Sequence, residues 1–353
     1  MPTPPDLNLT THRIPTTHGL IHVLDTASSS SPQTTTTTTS SPSSSPPTPP
    51  TLLLLHGNSS SSQIFLPLIA LSLSPNSPLH HHRILALDLP GHGQSSDAPP
   101  SDDDPEDSLD KHYTQPAYAD CALQVCAALG ARDVVVLGWS LGGHNAVEMV
   151  AQTTGTTTTG TTTTTQQQRG TVRVRGIMIT GTPPALGLEQ VRRGFTLGEG
   201  REEGGEAQHV NLAATERWTD ADFDTFPYEA ARGERAAWIR DAAVRTDGRA
   251  RRVMFDAFEA GRGCDQVRVV AGGKEKEKGK GGVPCAVVNG VDEPFVNLDY
   301  LDAIEWGGNL WEGRCHRLPG LGHAPFWEDP KAFLGYWERF VGDCCSETTT
   351  GEA

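Results

Sequence analysis

The sequence predicts an α/β fold in which a mostly parallel β-sheet carries helices on both faces, with a helical insertion added to it. Continuous apolar runs such as 51–55 and 134–137 are typical of buried parallel strands. Segments with helical periodicity alternate with these runs, and the crossover connections of parallel strands place such helices on both faces of a sheet. From residue 185 to about residue 270 the apolar runs stop and charged helical segments dominate, which indicates the insertion.

The N-terminal half opens with a hairpin over residues 12–25, in which Thr17, His18 and Gly19 form the turn. The segments that follow are assigned from strand-like and helical spacing, in chain order: strand 51–55, helix 59–73, strand 83–89 and helix 116–129. The last of these helices has a proline in its first turn and Gly130 at its end, and both residue types are favoured there.

The C-terminal half continues the alternation of strands and helices. Its assigned segments, in chain order, are strand 134–137, the helix after Ser140, strand 172–179, helix 248–260, strand 283–288, strand 314–318 and a final helix from Pro330. Asp247 and Asp329 precede two of these helices, where an aspartate side chain can accept hydrogen bonds from first-turn amides. Because parallel strands end at the same edge of a sheet, residues in the loops after them are expected to meet there.

Biased composition marks segments that cannot bury enough apolar surface to order themselves. They are the Ser/Thr/Pro tract 28–50, the Thr/Gln tract 153–168, the Gly/Lys/Glu loop 271–282 and the tail 346–353. The predicted organisation is then a core formed by 1–184 and 283–345, which the first two tracts interrupt, and a helical insertion 185–270. The loop 271–282 is expected to be flexible and the tail disordered.

The formal charge of -15 argues against nucleic acid or an anionic membrane as a partner, because both need a basic face. No apolar run approaches the roughly 20 residues that span a bilayer, and residues 1–11 lack the apolar stretch of a secretory signal. A cytoplasmic location is therefore expected. The seven cysteines have no C-x-x-C spacing, so neither a disulfide framework nor a zinc site is indicated.

The strongest chemical signal is the sequence Gly138-Trp139-Ser140-Leu141-Gly142, which lies between an apolar strand and a helical segment. A serine on so sharp a strand-to-helix turn has a strained backbone, and the residues two before and two after it must be small. Both are glycine. The turn exposes the Ser140 hydroxyl above the sheet and points the amide of Leu141 to the place where an oxyanion would form.

A serine hydroxyl needs a base to take its proton, and the base needs a carboxylate to orient it. His323 is the predicted base, because it follows the last predicted strand in a glycine-containing loop that can bring the imidazole over the sheet edge. Other histidines fit this role less well. They are His80 to His82 in a loop before a strand, His92 in a turn, and His144 on the helix after Ser140.

The orienting carboxylate should follow strand 283–288, where Asp292 and Glu293 are adjacent. Neighbouring side chains on a turn point in different directions, so only one of the two can serve. The order of serine, acid and histidine along the chain is the order expected with this type of serine turn.

These motifs together resemble the α/β-hydrolase superfamily. The resemblance rests on the serine turn, on His56-Gly57-Asn58 after a strand, on the segment from Asp88 to Ser95, and on Gly-His-Ala-Pro-Phe-Trp around His323. It covers most of the chain outside the biased tracts and the tails. The motifs are specific for the fold and carry little information about the substrate.

The resemblance implies roles for further residues. The backbone amides of Asn58 and Leu141 would form an oxyanion hole, and segment 185–270 would be a helical cap over the pocket. In this superfamily the acid stands three residues after a glycine and directly before a proline. Glu293 occupies that position, where aspartate is commoner, so we favour Glu293 as the acid and keep Asp292 as the alternative.

The predicted function is a serine hydrolase that cleaves a small ester, lactone or thioester through an acyl-Ser140 intermediate. No metal or organic cofactor is required, and the expected partner is a small acyl substrate. Alternatives within the fold are carbon-carbon bond hydrolysis and cofactor-free haloperoxidase-like activity, which differ in the shape of the pocket. Outside catalysis, the alternatives are a non-catalytic protein that binds small molecules and an interaction protein built around its Ser/Thr/Pro tracts.

Overall fold

The computed structural model describes residues 7–27, 48–99, 109, 111–155, 172–196, 209–273 and 282–346. Most of the three biased tracts and all but the first residue of the predicted tail 346–353 therefore lie outside the described residues. At their described ends, the helix after Ser140 continues into the Thr/Gln tract as far as Thr154, and the final helix includes Ser346.

The strands of the described chain form one sheet. They are β1 (Thr10–Thr16), β2 (Gly19–Asp25), β3 (Thr51–Leu55), β4 (Ile84–Leu87), β5 (Asp133–Trp139), β6 (Arg173–Thr180), β7 (Cys285–Gly290) and β8 (His316–Leu318). Their spatial order is β1-β2-β4-β3-β5-β6-β7-β8. The hairpin β1-β2 and the pair β2-β4 are antiparallel, and all other neighbours are parallel. The predicted mostly parallel α/β sheet is confirmed.

The α-helices alternate with the strands and also fill the predicted insertion. They are α1 (Leu66–Ser72), α2 (Gln115–Ala128), α3 (Leu141–Thr154), α4 (Gly187–Gly194), α5 (His209–Leu212), α6 (Asp220–Ala230), α7 (Ala237–Arg245), α8 (Gly248–Glu259), α9 (Gln266–Val270), α10 (Leu298–Asp302), α11 (Pro325–Glu328) and α12 (Pro330–Ser346). Helix α1 starts later than predicted, after a 3-10 turn over Ser62–Phe65. The backbone amide of Ser62, the first residue of this turn, donates to the Asp88 carboxylate at 2.7 Å.

Strand β3 lies at the centre of the sheet and packs against helices on both sides. Leu53 and Leu55 belong to an apolar cluster with α2 and α3, whereas Leu52 and Leu54 belong to a second cluster with α1 and α12. Alternate residues of a strand point to opposite faces, so a strand covered on both faces is apolar throughout. This explains why the sequence shows a continuous leucine run here.

The helices from α4 to α9, here called the helical segment (187–270), are joined to the loop after β3 by a buried arginine. Arg251 in α8 is 2% exposed and donates to the carbonyls of Thr215 at 3.0 Å and Glu216 at 3.1 Å. It also donates to the hydroxyl of Ser59 at 3.2 Å. Ser59 has φ +56, which is uncommon for a residue other than glycine. The arginine therefore supports a strained position in this loop.

Helix α3 carries a buried carboxyl group, Glu148, on the face that packs against the loop before α9. Its side chain accepts a hydrogen bond from the backbone amide of Cys264 at 2.7 Å. Burial raises the pKa of Glu148 to about 7, although the hydrogen bonds from Cys264 act in the opposite direction. The folded protein thus binds a proton at this site more tightly than the unfolded chain does.

This raised pKa predicts a pH-dependent loss of stability. Between about pH 4.5 and pH 7 the unfolded chain releases the Glu148 proton while the folded protein keeps it, so the free energy of unfolding falls as the pH rises. The loss from this group is on the order of 3 kcal/mol at 1.36 kcal/mol per pKa unit. Glu148→Gln keeps the acceptor for Cys264 but cannot ionise, so we expect it to remove this part of the pH dependence.

Urea denaturation at about pH 5 and about pH 8 would measure the effect. Glu305→Gln, at an exposed position, is the matched control and should leave the pH dependence as in the wild type. An identical pH dependence in wild type and Glu148→Gln would contradict the prediction.

Candidate active site

The turn between β5 and α3 has the strained geometry that its sequence predicts. Ser140 lies between the two elements with φ +53 and ψ -118. A Cβ atom at Gly138 would collide with the carbonyl of Gly142, and one at Gly142 would collide with the carbonyl of Leu55. Helix α3 can therefore start directly against β3 only because both positions lack a side chain.

Ser140 and His323 line one cavity, which opens to solvent. Its lining is mostly apolar and comes from the strand ends and from the helical segment. The lining residues are Gly57, Asn58, Trp139, Ser140, Phe195, Ala213, Phe226, Ala230, Phe295 and His323. Two residues from distant parts of the sequence, the predicted nucleophile and the predicted base, thus reach the same cavity.

His323 is paired with Glu293. The Nδ1 atom of the imidazole lies 2.8 Å and 2.9 Å from the two carboxylate oxygens of Glu293, and that carboxylate is fully buried. An ionised carboxylate only accepts hydrogen bonds, so Nδ1 carries the proton and donates a hydrogen bond to Glu293. This leaves Nε2 as the nitrogen that can accept a proton. The amide of Phe295 also donates to Glu293, at 3.0 Å, and fixes the carboxylate.

Asp292, the alternative acid, does not contact His323 through its side chain. Its backbone amide donates to the carbonyl of Leu321 at 2.9 Å. The carboxylate is 51% exposed and lies 3.8 Å from Arg232. The two adjacent carboxylates therefore point in different directions, and Glu293 is the one that reaches the imidazole.

Trp139 joins the serine turn to the histidine loop. Its indole Nε1 donates to the carbonyl of His323 at 2.9 Å, and the side chain is part of the buried core. Gly181, after β6, has φ +61, and a Cβ atom there would lie 2.6 Å from the imidazole Cε1. The His323 ring can occupy its place only because residue 181 is glycine.

The loop after β3 is ordered by a buried histidine. The Nε2 atom of His56 accepts from the amide of Leu89 at 3.0 Å, so its Nδ1 carries the proton and donates to the carbonyl of Gly57 at 2.7 Å. The N–H and C=O groups of a trans peptide point in opposite directions. Fixing the Gly57 carbonyl therefore turns the Asn58 amide to the other side of the chain.

The side chain of Asn58 contacts the helical segment. Its amide group donates to the carbonyl of Ala213 at 2.8 Å, and its oxygen accepts from the hydroxyl of Ser59 at 3.2 Å.

Leu141 is the first residue of α3. The first N–H groups of a helix have no partner within the helix, so the amide of Leu141 has none there.

Among the described lining residues of the cavity, His323 is the only histidine, and the other histidines considered from the sequence contact other parts of the fold. Nδ1 of His144 lies 2.8 Å from the side-chain oxygen of Gln266, and burial lowers the pKa of His144 to about 4. Burial and the neighbouring His56 lower the pKa of His92 to about 3. In the loop before β4, Nδ1 of His80 lies 2.7 Å from the carbonyl of Ser77, and Nδ1 of His82 lies 2.8 Å from the carbonyl of Pro50. Buried imidazoles with pKa values this low stay neutral near pH 7.

The helical segment contains five aromatic residues upstream of α8, namely Trp218, Phe223, Phe226, Tyr228 and Trp238. Of these, only Phe226 lines the cavity in the described part of the chain. Trp218 packs at a tilt against Phe223 and edge-to-face against Phe226, and Trp238 packs edge-to-face against Trp327. The walls also include Phe195 and Phe295, which have no distinguishing pattern in the sequence.

Sequence reasoning also missed Glu328, which contacts the backbone on both sides of His323. Its spacing from His323 could have indicated this contact, because a short helix that begins with proline brings residue 328 back over residues 322–324.

Within the described residues, no group of three or more His, Cys, Asp or Glu side chains is arranged to hold a metal ion. The described helices include none that is long and apolar enough to cross a membrane.

The chain matches the Alpha/beta hydrolase family over residues 52–335, and it belongs to that family. This agrees with the sheet order, the serine turn and the histidine loop described above. A comparison with curated proteins finds no match.

Solved structures of a lactonase and of esterases are similar to this chain. N-acyl homoserine lactonase AidH in complex with N-butanoyl homoserine shares 36% identity and a TM-score of 0.70, covering 98% of this chain and 99% of that chain. A serine-to-glycine variant of AidH with N-hexanoyl homoserine lactone shares 35% identity and a TM-score of 0.70, covering 96% and 99%.

The esterase RhEst1 from Rhodococcus sp. ECU1013 shares 20% identity and a TM-score of 0.60, covering 95% of this chain and 99% of that chain. At this identity the similarity concerns the fold alone. The family match supports a hydrolase.

The geometry around His323 predicts different effects for the two adjacent carboxylates. Glu293→Gln keeps the shape but removes the charge that stabilises the imidazolium, so we expect kcat to fall by at least about 10²-fold. Asp292→Asn changes a carboxylate that points away from the imidazole and should keep kcat within about twofold. Steady-state kinetics on one ester or lactone substrate would compare both variants with the wild type. A large loss in Asp292→Asn with none in Glu293→Gln would reverse the assignment.

Proposed function

We propose that the protein is a serine hydrolase that opens the ring of N-acyl homoserine lactones through an acyl-Ser140 intermediate. The observation that carries this proposal is the shared cavity of Ser140 and His323, with Glu293 hydrogen-bonded to the far nitrogen of the imidazole. Acyl transfer by serine needs a nucleophile, a base and an orienting carboxylate in this relation.

The similarity to AidH favours a lactone over other esters. AidH is in complex with N-butanoyl homoserine, which is a ring-opened acid, whereas its serine-to-glycine variant is in complex with an intact lactone. An intact lactone is expected in a variant that lacks the serine if ring opening depends on that serine. We extend it to this protein because the two chains share 36% identity over nearly their whole lengths.

The lining of the cavity suits a neutral, apolar substrate. Phe195, Phe226 and Phe295 contribute to its walls, and among the described lining residues only His323 has an acidic or basic side chain. An acyl amide joined to a lactone ring has no net charge. Such a molecule can enter the cavity without leaving a buried ion unpaired, which would be costly for a charged ester.

In the acylation step, His323 takes the proton of the Ser140 hydroxyl while the serine oxygen attacks the lactone carbonyl carbon. The amides of Asn58 and Leu141 stabilise the negative charge on the carbonyl oxygen, and each such donor contributes on the order of 10²–10³ in rate. His323 then gives the proton to the ring oxygen as the bond from the carbonyl carbon to this oxygen breaks. The product is an ester of Ser140 whose leaving alcohol remains attached to the same acyl chain.

Water completes the reaction. His323 takes a proton from a water molecule while the water oxygen attacks the ester carbonyl carbon, and it then protonates the departing oxygen of Ser140. One water molecule is consumed and one N-acyl homoserine is released. The Glu293 carboxylate stabilises the imidazolium ion that forms in both steps.

The helical segment would act as a cap over this site. Phe195, Ala213, Phe226 and Ala230 belong to it or flank its helices, and they contribute to the cavity wall. A covered cavity excludes bulk water and strengthens the interactions of the amides with the developing oxyanion.

The proposal predicts that Ser140→Ala lowers lactone hydrolysis by at least about 10³-fold, because no other group can form the acyl intermediate. Product formation from N-acyl homoserine lactones with acyl chains of increasing length would be measured by chromatography. Ser346→Ala, at the exposed end of α12, is the matched control and should keep wild-type activity.

A fluorophosphonate probe tests the nucleophile separately. We expect it to label the wild type at Ser140 and to leave Ser140→Ala unlabelled. Full lactone hydrolysis by Ser140→Ala would contradict the acyl-serine mechanism. A wild type that is labelled but hydrolyses simple esters and no acyl homoserine lactone would retain the mechanism and exclude the proposed substrate.

A further inference from the structure

Glu328 holds the backbone on both sides of His323. One of its carboxylate oxygens, Oε2, accepts a hydrogen bond from the amide of Gly322 at 2.8 Å, and the other, Oε1, accepts one from the amide of Ala324 at 3.2 Å. The Glu328 side chain is only 6% exposed, so the carboxylate is largely shielded from water. A single carboxylate thus fixes the two peptide N–H groups that flank the predicted base.

The carbonyl of His323 is held at a third point by the indole of Trp139, at 2.9 Å. Trp139 directly precedes Ser140, so this bond relates the histidine backbone to the serine turn. Among the described residues, the hydrogen bond that orients the imidazole is the one from Nδ1 to Glu293, while Phe295 and Trp139 pack against the ring. The position of Nε2 therefore depends on where the backbone of residue 323 lies.

We propose that Glu328 is a positioning residue that keeps the imidazole of His323 within reach of Ser140. This inference rests on the proposed function, because it matters only if His323 is the base. Glu328 lies outside the cavity lining and acts through peptide groups. A displacement of a catalytic group by about 1 Å can cost roughly 10²-fold in rate. Loss of the contacts that fix this backbone should therefore lower the rate measurably.

Arg232 covers this contact from the helical segment. Its Nε lies 3.4 Å from the Oε2 atom of Glu328. The guanidinium packs flat against Gly322, where a Cβ atom would lie 2.5 Å from Nε. Because the Arg232 side chain is 40% exposed, the ion pair itself contributes little. The packing against Gly322 is the main way in which Arg232 restrains the loop.

The bonds of Glu328 also cap the short helix α11, which is a structural role. A cap that only stabilised the fold would lower the melting temperature when removed and would leave kcat of the folded protein unchanged. A positioning residue lowers kcat while KM and folding persist. The two roles can therefore be separated by kinetics on folded protein.

Glu328→Gln keeps the size of the side chain but offers one acceptor oxygen, and its NH₂ group then faces a backbone N–H. We expect kcat for lactone hydrolysis to fall roughly 10- to 100-fold with KM within about twofold of the wild type. The rate of fluorophosphonate labelling of Ser140 should fall in parallel. Glu305→Gln, exposed and distant in sequence, is the matched control for a lost carboxylate.

A double variant tests whether the effect passes through His323. In the Glu293→Gln background the imidazole has already lost its orientation, so adding Glu328→Gln should lower kcat by less than about twofold more. Arg232→Met perturbs the same loop by changing the packing against Gly322, and it should lower kcat by about two- to fivefold without changing KM. It keeps the test decisive if Glu328→Gln does not fold.

Wild-type kcat in folded Glu328→Gln, or losses that multiply in the Glu293→Gln background, would overturn the positioning role. If Glu328→Gln does not fold, wild-type kcat in Arg232→Met would overturn it. A wild-type protein that hydrolyses no lactone or ester, or an active Ser140→Ala, would instead overturn the proposed function.

Discussion

The site depends on the close backbone packing where β5 turns into α3. Helix α3 begins against the carbonyl of Leu55 because Gly138 and Gly142 leave room for it. This contact fixes the strained conformation of Ser140 and also fixes Trp139, whose indole binds the carbonyl of the histidine loop. A larger residue at either glycine would therefore displace Ser140 and the support of the His323 loop together.

The same principle operates where the loops after β6, β7 and β8 converge. Gly181 makes room for the imidazole, and Gly290 lets the chain after β7 pass against the carbonyl of Leu321. The Asp292 amide binds that carbonyl, and the next residue, Glu293, faces His323. The two adjacent carboxylates are thus separated where two loops meet.

The sheet, the serine turn and the histidine loop could be predicted because their signals are local. Leucine runs, glycine spacing and a histidine after the last strand can be found without knowing the fold. Other features depend on contacts between distant residues. Helix α1 starts after a 3-10 turn whose first amide binds Asp88, and the contacts of Glu328 follow from a helix that folds back over its own loop. The sequence alone does not distinguish the adjacent carboxylates of Asp292 and Glu293, because only the fold shows which of them faces the histidine loop.

The hydrogen bond between the side chain of Asn58 and the carbonyl of Ala213 connects the loop after β3 to the helices above it. Any outward swing of those helices that widens the opening must break this bond and release the loop from one of its restraints. The position of the helices and that of the Asn58 backbone are therefore coupled. Under the proposed mechanism, a conformer with these helices displaced outward would lack one restraint on the amide that faces the oxyanion.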